Sequence, residues 1–246
     1  MIAASAHYCC LKSIDVAAGR RKSQREPKPT ARVARFNPSL VAGTTVRAIT
    51  GRNEPVAVHF RQGDLDGACG VSCVSMVLAI LGLVKASALE AMAHRKHGIA
   101  SDVWRAFQHS FFAGINAPEL CEAVRSLALR LRLTMRHAAD RTDVQAHRVV
   151  SEFAIASLRR GSLVMLAYRS LRNRRHQHWM LATGIGGFEY GRSVVYDTIY
   201  VLDPGADAIP LAVYNSTLRL VQRSGTKHPA WNVECAADYV VPVTLV

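Results

Sequence analysis

No run in this 246-residue chain approaches the roughly 20 uncharged apolar residues that a membrane-crossing helix requires; the longest, Val71 to Val84, is too short and reads as a buried helix. The first 30 residues lack the charged-then-apolar order of a secretory signal, since His7, Lys12 and Asp15 interrupt Met1 to Ala18. Six cysteines, three of them at or near the two ends, make no disulfide framework, which points to a reducing compartment. A cytoplasmic location is expected, with export as an effector without a conventional signal as the alternative. Zinc-finger spacing is missing: Cys69 and Cys73 have no second pair, and His94-x-x-His97 and His176-x-His178 are each half a site at most. No metal or other cofactor is expected. Helix-turn-helix and aromatic-basic strand signatures are missing too, so specific nucleic-acid recognition is not expected. Acidic residues are scarce, 18 against 31 Lys and Arg, giving a net charge of +13.

That charge is unevenly spread. Residues 1–50 carry nine Lys or Arg against Asp15 and Glu26, with Pro27, Pro29 and Pro38 and no sustained apolar period. The composition predicts a flexible basic arm over 1–50, able to attract an acidic partner and separable from a globular domain over 51–246. A transit-type address and a solvated tail fit the same composition.

Within the domain, Gln62-Gly-Asp-Leu-Asp-Gly-Ala-Cys69-Gly-Val-Ser-Cys73 leads into a long apolar helix with a cysteine at its mouth. The unpaired N–H groups and positive dipole end of a helix start favour an anion, which suits a thiolate nucleophile. Attack on a carbonyl produces an oxyanion that needs donors. The backbone N–H of Cys69 and the side-chain amide of Gln62 are the candidates. Cys73, one turn further in, reads as a buried structural cysteine.

A nucleophile needs a base, and a base needs an orienter. His178 opens the strand-like run His178 to Ile185, and Asp203 closes the run Val194 to Leu202 ahead of Pro204-Gly205. If the two runs pair antiparallel, imidazole and carboxylate meet at one edge of the sheet. His176 lies in a polar run and reads as solvated. Asp197 and Asp207 lack the position between strand and turn that Asp203 holds, and Asp64 and Asp66 read as loop residues.

Helical signals come first and strand signals last. Ser87-Ala-Leu-Glu90 reads as a capping box opening a helix to Gly98, Asn116 as the cap of another, and Thr142 to Arg160 as a third. Leu163 to Tyr168, His178 to Ile185, Val194 to Leu202, Leu211 to Val221 and Tyr239 to Val246 read as strands. Helices segregated from a mainly antiparallel sheet predict an α+β fold.

Gln62, the run Ala68-Cys69-Gly70-Val71-Ser72-Cys73-Val74-Ser75-Met76, His178-Trp179 and Leu202-Asp203-Pro204 resemble the papain-like cysteine peptidases, most closely the branch with the bacteriocin-processing, double-glycine leader peptidases. In that branch the first cysteine of Cys-Gly-x-x-Cys-x-x-Met is the nucleophile, which falls on Cys69. Papain uses the second cysteine of Cys-Gly-x-Cys-Trp, one residue shorter, and no Trp follows Cys73. The resemblance implies a bacterial-type thiol protease with a helical lobe packed on the sheet, a Cys69–His178–Asp203 triad, Gln62 in the oxyanion hole, and a peptide or protein substrate. The alternatives are a deamidase, acyl transferase or toxin-effector using the same triad, and a silent module that only binds peptides.

Overall fold

The computed structural model describes residues 28–246 apart from 52–53, 64–66, 139–143, 171–176, 222–229 and 232–234. Its strands are β1 (Ala31–Phe36), β2 (Leu40–Val41), β3 (Arg47–Ala48), β4 (Val56–Ala57), β5 (Leu131–Leu133), β6 (Arg136–His137), β7 (Leu163–Ser170), β8 (Gln177–Tyr190), β9 (Ser193–Leu202), β10 (Ser216–Val221), β11 (Ala230–Trp231) and β12 (Cys235–Leu245). The helices are α1 (Cys69–Ile80), α2 (Ala86–Glu90), α3 (Ile99–Phe107), α4 (Ser110–Ala113), α5 (Ala117–Ser126) and α6 (Val144–Arg159), with a 3-10 turn at Met92–His94.

The run Leu163-Val-Met-Leu-Ala-Tyr168 of β7 has no polar face, and accordingly neither of its faces is exposed. Leu163, Met165 and Ala167 pack with α1, while Val164, Leu166 and Tyr168 pack with Val150, Ala154 and Leu158 of α6. This period-2 division makes the sheet the middle layer between two sets of helices. Trp179 and Leu181 of β8 repeat the first side, and Met180 and Ala182 the second. The main sheet runs β11-β10-β9-β8-β7-β12-β5, with β1 beside β8 and β6 beside β12, and its pairings are antiparallel. The result is a mixed α+β structure with a mainly antiparallel sheet.

Every residue of α1 is buried. A helix apolar on all sides belongs at the centre of a domain. One side of α1 meets β7 and β8, and the same core takes in Leu40, Val46, Ala48 and Val58 from around the small β2-β3-β4 sheet. Burial of side chains such as Met76, Leu78 and Ile80 contributes on the order of 1.5–3 kcal/mol each. No helix among the described residues is long and apolar enough to cross a membrane.

The expected basic arm is corrected in part. Residues 1–27 lie outside the described residues, but much of the rest is folded: Ala31 to Phe36 pair with Glu189 to Gly184, and Val46 and Ala48 are fully buried. β7 pairs with β8 from Gln177 to Ala182, and β1 takes over the same edge from Gly184. Gly184 permits the approach, since a Cβ there would lie 2.5 Å from Phe36 Cδ1 and 2.6 Å from the Arg35 carbonyl oxygen. Phe36 then stacks on Tyr214 and tilts against Tyr200.

Two further readings shift. The backbone leaves extended conformation at Lys85, so Ser87 falls inside the first turn of α2 without capping it, and α2 ends at Glu90. The strand expected from Leu211 starts only at Ser216, because Leu211 has φ +62°, which ends an extended run. Asn116 does cap α5, its Oδ1 accepting the Glu119 N–H at 3.0 Å.

Candidate active site

Cys69 is the first residue of α1, with Ala68 as N-cap. The Ala68 side chain can make no cap, and the first turn of α1 holds no acidic residue, so neither offsets the positive end of the helix. The first intrahelical bond runs from the Ser72 N–H to the Ala68 carbonyl, which leaves the N–H of Cys69 without an intrahelical acceptor. Cys69 is 7% exposed and its thiol makes a long contact, 3.8 Å, with the Gly67 carbonyl.

β8 and β9 pair antiparallel with Leu181 opposite Leu202, so the start of β8 lies beside the turn that follows β9. There His178 Nε2 meets Asp203 Oδ1 at 2.6 Å. With Nε2 engaged, Nδ1 is the ring nitrogen left for a second partner, and Cys69 lies close enough to act on the ring as a hydrogen-bonding group and as a charge. Burial alone would lower the His178 pKa; the hydrogen bonds and charges of Asp203 and Cys69 outweigh it and raise it to about 9. Burial would likewise raise that of Asp203, but the hydrogen bond and charge of His178, the Gly205 N–H at 2.8 Å and the charge of His59 hold it below the usual carboxylate range. Each partner stabilises the ionised form of the other.

Neighbouring residues bring the two halves together across 109 positions. Gly70 follows Cys69, Trp179 follows His178, and the two touch: a Cβ on Gly70 would sit 3.3 Å from Trp179 Cδ1 and 2.5 Å from Ile115 Cγ2. Trp179 is 1% exposed and its Nε1 donates to the Ile115 carbonyl at 2.9 Å, fixing the indole on which α1 rests. Replacing Gly70 with Val is therefore expected to push α1 off β8, destabilising the protein by about 1–3 kcal/mol as overpacked cores do. Thermal unfolding checks this. Wild-type stability in Gly70→Val would refute the close contact.

Gln62 is anchored by its backbone N–H, which donates to the Pro204 carbonyl at 2.9 Å and so ties it to the turn after Asp203. Its side-chain oxygen is buried without a hydrogen-bond partner. Gln62 lines a cavity of about 370 Å³ together with His59, Ala68, Ser72, Leu89 and Phe111. The cavity thus opens beside the first turn of α1, against the residues flanking Cys69.

The competing residues are placed elsewhere or occupied. Cys73 is fully buried, and burial, then the charges of Cys69 and Asp203, push its thiol well up. Asp197 accepts from Thr198 Oγ1 at 2.8 Å, and Asp207 pairs with Arg61 at 2.9 Å on the surface. His176, Asp64 and Asp66 lie outside the described residues. His94 and His97 are exposed between α2 and α3, and no group of three or more His, Cys, Asp or Glu among the described residues is placed to hold a metal.

Sequence reasoning missed Asn215 and His59. Asn215 is 8% exposed and its amide bonds the Asp203 main chain on both sides; His59 Nε2 lies 3.0 Å from the Asp203 carbonyl. Their only sequence signal is an Asn directly before a strand and a His near Gln62. No family model matches the chain, and no curated protein is found to be similar to it.

Proposed function

We propose that the chain is a papain-like cysteine hydrolase that cleaves peptide bonds in a peptide or protein. The observation that carries the reading is His178, hydrogen-bonded to Asp203 and near enough to a thiol at a helix N-terminus for that thiol to raise its pKa. In this reading His178 holds the proton given up by Cys69. The thiolate attacks the carbonyl carbon, a C–S bond forms, and the oxyanion takes hydrogen bonds from the Cys69 N–H and the Gln62 side chain. Collapse breaks the C–N bond, and the leaving amine takes the proton from His178. Neutral His178 then draws a proton from water, which attacks the thioester and releases the acid and the free thiol. Asp203 keeps the ring oriented and stabilises the imidazolium throughout.

The cavity beside Gln62 is large enough for one substrate side chain, and its lining mixes Val71, Leu89 and Phe111 with Ser72, Ser75 and Glu90. A side chain with an apolar stem suits it.

Labelling with a peptidyl electrophile, followed by mapping of the modified residue, tests the function. Cys69 is expected to react, and to react with iodoacetamide near neutral pH far faster than Cys73 or Cys121, whose thiols burial pushes up. Modification of Cys73 in place of Cys69 would support the papain register and overturn the assignment.

A further inference from the structure

At Asp203 the chain leaves the sheet. The first β10 residue, Ser216, is paired with Val201, and β9 ends at Leu202, so the Asp203 peptide has no strand neighbour. The side-chain amide of Asn215 stands in for one. Its Oδ1 accepts the Asp203 N–H at 2.7 Å and its Nδ2 donates to the Asp203 carbonyl at 2.8 Å, the two-point pattern an adjacent strand would supply. Nδ2 also donates to the Ala206 carbonyl at 3.1 Å, and the Asn215 backbone N–H donates to Val201 at 3.0 Å. Asn215 thus grips both the end of β9 and the turn beyond it.

His59 completes the arrangement. Its Nε2 is 3.0 Å from the Asp203 carbonyl and 3.1 Å from Asn215 Nδ2. An amide has two N–H protons, and both are used on carbonyls, so His59 Nε2 carries its own proton and donates it to Asp203. The Asp203 side chain has equally little freedom: Oδ1 must reach both the Gly205 N–H at 2.8 Å and His178 at 2.6 Å. A turn of the Asp203 backbone would break both contacts.

We propose that Asn215, seconded by His59, is a positioning residue that holds the Asp203 main chain so that its carboxylate stays on His178 Nε2. The role rests on the reading of Cys69, His178 and Asp203 as a hydrolytic triad. Asn215 acts through Asp203 and touches neither the thiol nor the substrate.

The test uses the full chain with Asn215→Ala and Asn215→Asp. The second keeps the shape but loses both donated protons and sets a carboxylate oxygen against two carbonyls. Ring NMR signals of His178, read without substrate, are expected to titrate about one unit or more below the wild-type value. The rate kcat on a peptide substrate is expected to fall about tenfold or more while KM changes little. Folded variants with the wild-type His178 titration and kcat would overturn the proposal. Should the variants not fold, amide exchange in the unmodified chain decides: the Asp203 N–H is expected to exchange about a hundredfold more slowly than an unpaired amide, and fast exchange overturns the clamp. A chain that hydrolyses nothing, yet whose His178 titration drops in the variants, would refute the hydrolase reading and leave the clamp standing.

Discussion

Replacing Cys69 with Ala, or His178 with Ala, is expected to lower kcat on a peptide substrate by on the order of 10⁴- to 10⁶-fold, the scale on which triads lose nucleophile or base. The two losses are expected to be far from additive, because the thiol and the ring act as one unit. In Cys69→Ala the ring keeps Asp203 and its 2.6 Å bond, so the fold survives while the chemistry stops. His178→Ala strips Asp203 of its cation and leaves a half-buried carboxylate, so a loss of stability accompanies the loss of rate. Kinetics with matched thermal melts separates the two effects. Activity within tenfold of wild type in either variant would rule out the proposed mechanism.

The second large effect is in the pH dependence. Because His178 holds its proton up to about pH 9, the rate of peptide hydrolysis is expected to decline on the alkaline side near that pH, where the general acid is lost. Asp203→Asn removes the charge that holds the proton on the ring. The alkaline limb should move toward neutral, and kcat should fall on the order of 10²-fold or more, though less than on loss of Cys69. Stability follows the same groups. His178 is raised when folded, so its contribution is full below its ordinary pKa near 6.5 and disappears as pH rises through about 9. Asp203 is lowered, so its contribution is present above the unfolded value of 3.8 and disappears as the solution is acidified. An alkaline limb left near pH 9 in Asp203→Asn would show that the carboxylate does not control the ring.

The candidate site was legible where its residues punctuate the chain. Cys69 starts a helix, His178 sits one residue inside the start of a strand and Asp203 follows the end of another, so Gly, Pro and the change of period mark all three. Asn215 was not legible. Its hold on Asp203 spans 12 residues through side chain to backbone, and such a bridge leaves no periodic trace. The central strands were readable because β7 and β8 are apolar on both faces, whereas β1 was hidden by its arginines. Arg32 lies over the Phe188 ring at 5.8 Å, and β1 is held through backbone pairing that composition does not encode.

The place of β1 beside the far half of β8 also sets an order of events for a chain leaving the ribosome. Ala31 pairs with Glu189, so the first strand must wait for more than 150 residues to be made before its partner exists. Contacts of such long separation are slow to form. The same delay applies to Cys69, because His178 and Asp203 sit on β8 and just past β9. Until that hairpin closes, the emerging protein carries the Cys69 thiol without His178 beside it, and in the proposed mechanism assembly of the sheet is what arms it.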